Sequence, residues 1–167
     1  TNQAGSLSLS EGTEIIQAVQ ARQEILVWTD SAMYGLQYLG EPVVWGATLL
    51  GSNITIASPN AAVYSNNIAY WMGTSKFYYY DGTVKTLPCS VRSYVFDDFN
   101  SEQAEQIICG SNEEFDEIWW FYCSSGVTRN DRYVVYNYVE NIWYYGTLSR
   151  SAWIDSDLRD FPIAATF

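Results

Sequence analysis

Carboxylates are the residues of this sequence that cluster closely enough to do chemistry. Paired carboxylates carry out glycoside hydrolysis, one as an acid and the other as a base or nucleophile. Short acidic runs are more often solvated loop charge, and we favour that interpretation, with no catalytic, metal-binding or cofactor-binding residue. The three groups are Asp97 and Asp98; Glu113, Glu114, Asp116 and Glu117; and Asp155, Asp157 and Asp160.

The last acidic group begins like a calcium-binding loop, with carboxylates at Asp155 and Asp157. A complete loop of that kind also needs a following Gly for the sharp turn and a distal Glu ligand. Neither follows in register here. The spacing therefore gives little support to a calcium site.

Histidine is absent from the sequence. The chain therefore lacks the commonest general base and the commonest zinc ligand, and it cannot build a Ser-His-Asp or Cys-His arrangement. Cys89, Cys109 and Cys123 are odd in number and include no C-x-x-C pair. We interpret them as small buried hydrophobic residues of a protein made in a reducing compartment, with one disulfide as the alternative.

Net charge argues against adhesion to nucleic acid. The 19 acidic and 8 basic residues give a net charge of −11. A body with this charge repels phosphate, and the scattered arginines form no basic stripe that would follow a phosphate backbone. The charge suits a protein that DNA passes without sticking. No apolar run approaches the length of a membrane span.

Three short runs of β-branched and aromatic residues would position these side chains. They cover residues 118–123, 133–139 and 142–148, and turn residues bound them, which is typical of strands. Aromatic residues occupy adjacent positions, as at Trp119 and Trp120. A sheet with one wet face would alternate apolar and polar residues, so we expect both faces of this sheet to be covered. The pattern predicts an all-β fold.

Self-similarity groups the strands into repeats. An acidic or amide residue, then Ile, then an aromatic-rich run recurs at Ile25, Ile68 and Ile118, with spacings of 43 and 50 residues. Propeller blades repeat at about 40 to 50 residues. Asp81-Gly82 is typical of a two-residue type I′ hairpin turn. We predict about three four-stranded antiparallel blades of a partial β-propeller; the alternative is a β-sandwich of unrelated hairpins.

The repeats define the domain organisation. Residues 1–13 are predicted to be a flexible arm or linker, and residues 14–167 a propeller segment with blades at about 14–51, 54–96 and 104–150. Residues 151–167 are the start of the next blade or a docking segment. Because closure takes at least four blades, we expect a fragment of a larger propeller. The first strands of the units are predicted at 15–19, 56–64 and 106–109.

Pro88 falls inside the predicted fourth strand of the second unit, over residues 84–91. Proline is tolerated on edge strands, and the outermost strand of a blade is an edge.

Arginine, tryptophan and the other aromatic side chains suggest two surface functions, a protein contact and sugar binding. Arg150, Trp153 and Arg159 are the candidate contact with a neighbouring subunit or adaptor, because Arg and Trp are favoured interface anchors. An ordinary loop between blades is the alternative. The many aromatic residues would make a sugar-binding surface if they lay at the mouth of a propeller, but at strand spacing they are more often core.

Five stretches carry a resemblance to a known family. They are VWTDSAMYGLQYLG, SPNAAVYSNNIAYWMG, KFYYYDGTVKTLPCSVRSYVFDDFN, NDRYVVYNYVENIWYYGTLSRSAWID and RDFPIAA. Their wording resembles the tail nozzle or tail hub proteins of short-tailed bacteriophages, also called tail tubular protein B or packaged-DNA stabilisation protein. The resemblance covers nearly all of residues 15–166 and is strongest at VFDDFN, DRYVVYNY and WYYGTLSR.

The resemblance implies a structural virion protein without catalytic residues or cofactors. Such proteins resemble propeller bodies joined to a channel-forming part, assembled in the host cytoplasm as a ring, usually sixfold, below the portal and adaptor. They close or line the exit channel, so double-stranded DNA is transient cargo, and no membrane is involved. By comparison with that family, we expect the channel-forming portion, and with it the conduit role, to lie outside these residues. The alternative is a carbohydrate-binding propeller for host recognition, and the third possibility is a glycoside hydrolase.

Overall fold

Antiparallel strands make up most of the regular structure in the computed structural model, which describes residues 5–42, 44–156 and 158–166. Their lengths of three to eight residues match the short runs read from the sequence. The strands are β1 (Ile15–Gln20), β2 (Ile25–Thr29), β3 (Ala32–Tyr38), β4 (Trp45–Ser52), β5 (Ala62–Ser65), β6 (Ile68–Met72), β7 (Phe77–Tyr80), β8 (Val84–Leu87), β9 (Ile108–Asn112), β10 (Glu117–Tyr122), β11 (Arg132–Asn137), β12 (Ile142–Thr147), β13 (Ala152–Ile154) and β14 (Ile163–Ala165).

The strands pair in chain order. The first sheet contains β1 to β4, the second β5 to β8 and the third β9 to β12, and β13 pairs with β14 as a terminal hairpin. Every pairing between these strands is antiparallel. The all-β prediction is therefore confirmed, and each of the three predicted units contains one four-stranded sheet.

The second sheet lies between the other two. Trp71 faces the first sheet, where its ring centroid is 5.2 Å from that of Trp28. Phe77 faces the third sheet, with its ring 4.9 Å from that of Trp120. All four side chains are fully buried. The second sheet is therefore covered on both faces, which explains why its strands do not alternate apolar and polar residues. Two covered faces were predicted for the third sheet, where Trp153 covers Trp119 on the outer face but Tyr144 and Tyr145 stay exposed.

The repeat alignment is shifted by one residue in the middle copy. Ile68 shares a face of β6 with Tyr70, whose ring lies against Tyr136 of the third sheet. Ile118 is paired with Tyr136 and faces back towards the second sheet. Because successive strand residues point to opposite faces, the residue equivalent to Ile118 is Ala69, not Ile68.

The second unit also departs from its predicted strand bounds. The first strand was expected to begin at residue 56, but Pro59 lies in a turn closed by the Ala61 N–H to Ser58 C=O bond, and pairing begins at Ala62. The prediction that Pro88 lies inside a strand is wrong. β8 ends at Leu87, and the chain then forms a short helix, α1 (Arg92–Phe96), that the sequence pattern did not indicate.

The prediction of a type I′ turn at Asp81-Gly82 is wrong. Only Gly82 of the pair Asp81-Gly82 has positive φ, and Tyr80 pairs with Val84, which leaves a three-residue loop. The Asp81 carboxylate accepts the Thr83 N–H in this loop. Two consecutive positive φ values occur instead at Asn66-Asn67, between the paired residues Ser65 and Ile68.

Neighbouring sheets approach each other most closely through their first strands. Backbone contacts between sheets concentrate on β1 with β5, β5 with β9, and β9 with β13. The Gln17 side chain adds two hydrogen bonds between β1 and β5, donating to the Ala62 carbonyl and accepting from the Ala62 N–H, both at 3.1 Å. The first strands therefore form a row along one side of the stack.

The N-terminal segment lies on the outer face of the first sheet. Leu9 packs against Val27 and Tyr34, and the Thr13 N–H and hydroxyl donate to the Asp30 carboxylate at 2.8 and 2.7 Å. These contacts involve the predicted arm, whose flexibility stays a prediction. Within the described residues, no helix is long and apolar enough to cross a membrane.

Candidate interaction surfaces

Trp153, the central residue of the predicted contact segment, packs on its own chain. Its ring stacks on Trp119 at 5.4 Å and lies tilted against Phe121 at 5.6 Å, on the outer face of the third sheet. Its Nε1 donates to the Ser111 carbonyl at 2.8 Å. Gly110 makes room for the ring, because a Cβ there would collide with the indole. Trp153 therefore fastens the terminal hairpin to the third sheet.

Arg150 and Arg159 lie in different surroundings. Arg150 is half-buried after the third sheet, where its carbonyl accepts the Asn130 side-chain amide at 3.0 Å and its guanidinium donates to the Ser149 carbonyl. Arg159 is exposed in the loop of the terminal hairpin. Among the described residues, no hydrogen bond, ion pair or ring contact joins Arg150, Trp153 and Arg159. Their contact with another subunit or adaptor stays a prediction.

Two carboxylates accept hydrogen bonds, one from the acidic group at residues 113–117 and one from the group at residues 155–160. The Glu113 N–H donates to the Asp155 carboxylate at 3.0 Å, and the Ser65 hydroxyl donates to the Glu113 carboxylate at 2.9 Å. These bonds connect the second sheet, the third sheet and the segment after β13. Asp157 lies outside the described residues. The two carboxylates therefore act as polar connectors between layers.

In the remaining acidic group, Asp98 lies near an arginine. Arg132 Nε lies 3.5 Å from the Asp98 carboxylate and 3.8 Å from that of Asp131. Asp131 also accepts the N–H and hydroxyl of Ser124, at 2.8 and 2.7 Å. Beside them, burial raises the pKa of Tyr122, so its hydroxyl stays neutral. The two bonds from Ser124 fix Asp131 in the connection between β10 and β11.

The cysteines are free thiols, so the alternative of a disulfide is wrong. Burial raises the pKa of Cys89 and of Cys123 to about 11, and it also raises the pKa of Cys109 well above its usual value. A thiol that stays protonated is a poor nucleophile and a poor metal ligand. Within the described residues, no three His, Cys, Asp or Glu side chains are grouped to hold a metal ion.

An open polar cleft of about 290 Å³ lies between the turns of the first and second sheets. Arg22, Glu24, Tyr64, Tyr80 and Asp81 are among the residues that line it. The Tyr80 hydroxyl donates to the Glu24 carboxylate at 2.9 Å. Burial and this carboxylate raise the pKa of Tyr80 to about 12. The cleft combines aromatic rings with hydrogen-bond donors and acceptors.

The outer face of the first sheet is the surface that sequence reasoning missed. Tyr38, Trp45 and Leu49 lie on this face and are 64%, 42% and 41% exposed. The rings of Tyr38 and Trp45 meet edge to face at 5.8 Å. The signal was the alternation of Trp45, Ala47 and Leu49 with Gly46 and Thr48, which marks an apolar strand face.

No protein-family model matches the chain, and no curated protein matches it. Functional interpretation therefore depends on the fold and on these surfaces.

Proposed function

We propose that the chain is a β-propeller segment of a structural virion protein, a tail nozzle or hub component of a short-tailed bacteriophage. It helps to form or close the DNA exit channel and contacts neighbouring tail proteins. The observation that supports a propeller is the row of first strands, β1, β5, β9 and β13, at which consecutive sheets approach. Blades that meet around an axis are arranged in this way. The tail location is supported by the sequence resemblance alone.

The terminal hairpin fits the start of a fourth blade. β13 lies beside β9 as β9 lies beside β5, and β13 and β14 pair antiparallel in chain order. The next aromatic side chain in the stack, Trp153, occupies the space between the hairpin and the third sheet. This arrangement favours the next blade over a separate docking segment for residues 151–167.

The proposed role is mechanical and electrostatic. Buried aromatic layers make a close-packed body that resists deformation. The net charge of −11 limits adhesion to DNA that passes the channel. Assembly as a ring, sixfold in the family it resembles, and contact with the portal-side adaptor belong to the same proposal.

Quantitative mass spectrometry of purified particles that carry this gene tests the proposal. We expect peptides of this chain in the particle, in a fixed copy number relative to the portal that fits a ring. Their absence from particles, or a copy number that varies between preparations, would contradict a tail component. Retention of the chain on a DNA column at low salt would contradict the electrostatic part alone.

The polar cleft favours a second candidate, a carbohydrate-binding propeller. Tyr64 offers an aromatic surface beside the charged groups of Arg22 and Asp81, a combination that suits a sugar. A glycan array decides between the two functions. Specific binding that is lost in Tyr64→Ala and kept in the distant exposed variant Tyr144→Ala supports the second candidate, and no binding on the array removes it.

A further inference from the structure

Three turns enclose the polar cleft between the first and second sheets. They join β1 to β2, β5 to β6 and β7 to β8. The Ala21 N–H donates to the Glu24 carbonyl at 2.9 Å and closes the first of these turns, which leaves Arg22 exposed at its tip. In the third turn, Gly82 has positive φ, and a Cβ there would meet no atom within 4 Å. The cleft is therefore open to a ligand from solvent without a change in the fold.

The two carboxylates of the cleft already have partners. Glu24 accepts the Tyr80 hydroxyl at 2.9 Å, and its carboxylate lies over Gly35 of β3, where an added Cβ would collide with it. Asp81 accepts a hydrogen bond from Lys85 Nζ at 2.7 Å. A cationic ligand would have to displace one of these partners, so the carboxylates of the cleft do not favour such a ligand.

Arg22 is the charged group of the cleft that lacks a partner. Among the described residues, its guanidinium makes no hydrogen bond, ion pair or contact with an aromatic ring. A guanidinium presents N–H donors in a planar fork that matches the two oxygens of a carboxylate. The charges of Glu24 and Asp81 line the same cleft and oppose a doubly charged group more than a singly charged one. The uncommitted charge therefore favours a carboxylate over a phosphate.

Tyr64 supplies an aromatic surface beside this guanidinium. It is half-buried in β5, and its hydroxyl accepts the Arg22 N–H at 3.4 Å, so the side chain reaches from the second sheet to the β1–β2 turn. The side-chain amides of Gln23 and Asn67 also line the cleft, and each offers donors and an acceptor to hydroxyl groups. The volume of about 290 Å³ is near the lower limit of ligand pockets, which suits one sugar unit of a longer glycan.

We propose that the cleft binds a sugar that carries a carboxylate, with Arg22 paired with the carboxylate and Tyr64 packed on the sugar ring. This inference rests on the second candidate function, the carbohydrate-binding propeller, and specifies the ligand of that site. The net charge of −11 repels anions at long range. The preference for an acidic sugar therefore comes from the local pair with Arg22 and not from the charge of the whole surface.

Isothermal titration calorimetry on the chain tests the proposal by comparing acidic sugars with neutral counterparts. The probes are trigalacturonate with its methyl ester, sialyllactose with lactose, and inorganic phosphate. We expect at least one acidic sugar to bind about three- to tenfold more tightly than its neutral counterpart and than phosphate. Arg22→Gln is expected to remove this preference, because a neutral amide cannot form the charge-assisted pair.

Two further variants complete the design. Arg92→Gln removes the same charge from an exposed arginine that bonds the Ser75 carbonyl in the β6–β7 turn, at the opposite end of β7 from the cleft. This matched control is expected to bind as wild type. Arg22→Lys keeps the charge but loses the planar fork, so it is expected to retain part of the preference for the acidic sugar. It replaces Arg22→Gln if circular dichroism shows that variant to be misfolded.

A neutral sugar that binds as tightly as its acidic counterpart, or a preference that Arg22→Gln leaves intact, would overturn the proposal and leave the sugar-binding candidate in place. Phosphate that binds as tightly as the acidic sugars would also overturn it, because the site would then recognise an anion without its sugar. If no probe binds, the proposal fails, and the glycan array decides the candidate function separately. The virion role is tested by the particle measurement alone.

Discussion

The middle and the end of the stack contain similar residues in opposite environments. Trp71 of the second sheet is fully buried between Trp28 and Tyr78, and its Nε1 donates to the Thr55 carbonyl. Trp45 of the first sheet meets the ring of Tyr38, its one ring contact among the described residues, and is 42% exposed. The difference arises from position, because one strand face has a sheet against it and the other does not. A high aromatic content is therefore no measure of how much core a given sheet contributes.

The largest expected difference comes from deleting one tryptophan in each region. Trp71→Ala removes a buried ring from between two sheets and is expected to cost about 3–5 kcal/mol in the free energy of unfolding. Trp45→Ala is expected to cost less than about 1 kcal/mol, since Trp45 is already 42% exposed and no sheet packs on it. Urea denaturation of both variants measures the two free energies of unfolding. Equal losses of stability would show that the outer face of the first sheet is covered, against this account.

Gly110→Ala tests the other end of the stack. The added Cβ collides with the Trp153 indole, so the hairpin must move, at a cost of about 1–3 kcal/mol. Faster amide exchange in residues 152–165 would report the displacement. Trp153→Ala in the same chain removes the collision and should cancel most of the added penalty of the glycine substitution. Gly5→Ala, where the Cβ meets no atom within 4 Å, is the matched control.

Alkaline pH is expected to destabilise the second sheet through Tyr80. Its pKa is raised from 10.0 to about 12 by burial and by Glu24. The folded state therefore holds its proton more tightly than the unfolded state, and the associated stability is complete below pH 10 and is lost as the pH rises towards 12. The loss by pH 11 is about 1 kcal/mol. Urea denaturation at pH 9 and 11 should show a smaller decrease for Tyr80→Phe, and an unchanged decrease would contradict the assignment.

The smallest expected effect concerns the N-terminal segment that lies on the outer face of the first sheet. Hydrogen bonds from the Thr13 hydroxyl and N–H lower the pKa of Asp30. They therefore stabilise the folded state at pH values above the usual pKa of an aspartate, and this stabilisation is lost as the pH falls through the lowered pKa. Thr13→Val should decrease stability slightly at neutral pH and reduce the fall in stability on acidification. Acid titration of the melting temperature, with Thr48→Val as the exposed control, measures this change.

Local patterns predicted the strands, because each strand is a short apolar run between turn residues. Residues 118–123 were predicted as a strand and lie almost entirely within β10, Glu117–Tyr122. The adjacent aromatic residues Trp119 and Trp120 also indicated a sheet with a layer on each side, and their rings pack against Trp153 and Phe77 on opposite faces of the third sheet. These features depend on neighbours in the sequence, so the sequence alone contains them.

The features that were missed depend on contacts between distant residues. The one-residue shift at Ile68 is visible only once Tyr70 is seen against Tyr136. The site of Trp153 depends on the space above Gly110, which neither residue reveals by itself. α1 forms where Phe96 packs against Phe77, in a stretch that has strand-like residues. Asp81 was misassigned to a type I′ turn because its side chain stabilises a longer loop.

A cryo-EM reconstruction of the tail of particles that carry this gene, at a resolution that shows strands, tests the central claim most directly. The account predicts three consecutive four-stranded sheets beside the exit channel, stacked face to face, with β1, β5 and β9 innermost around one axis. Sheets whose first strands lie at the rim, or a chain located away from the tail, would contradict it.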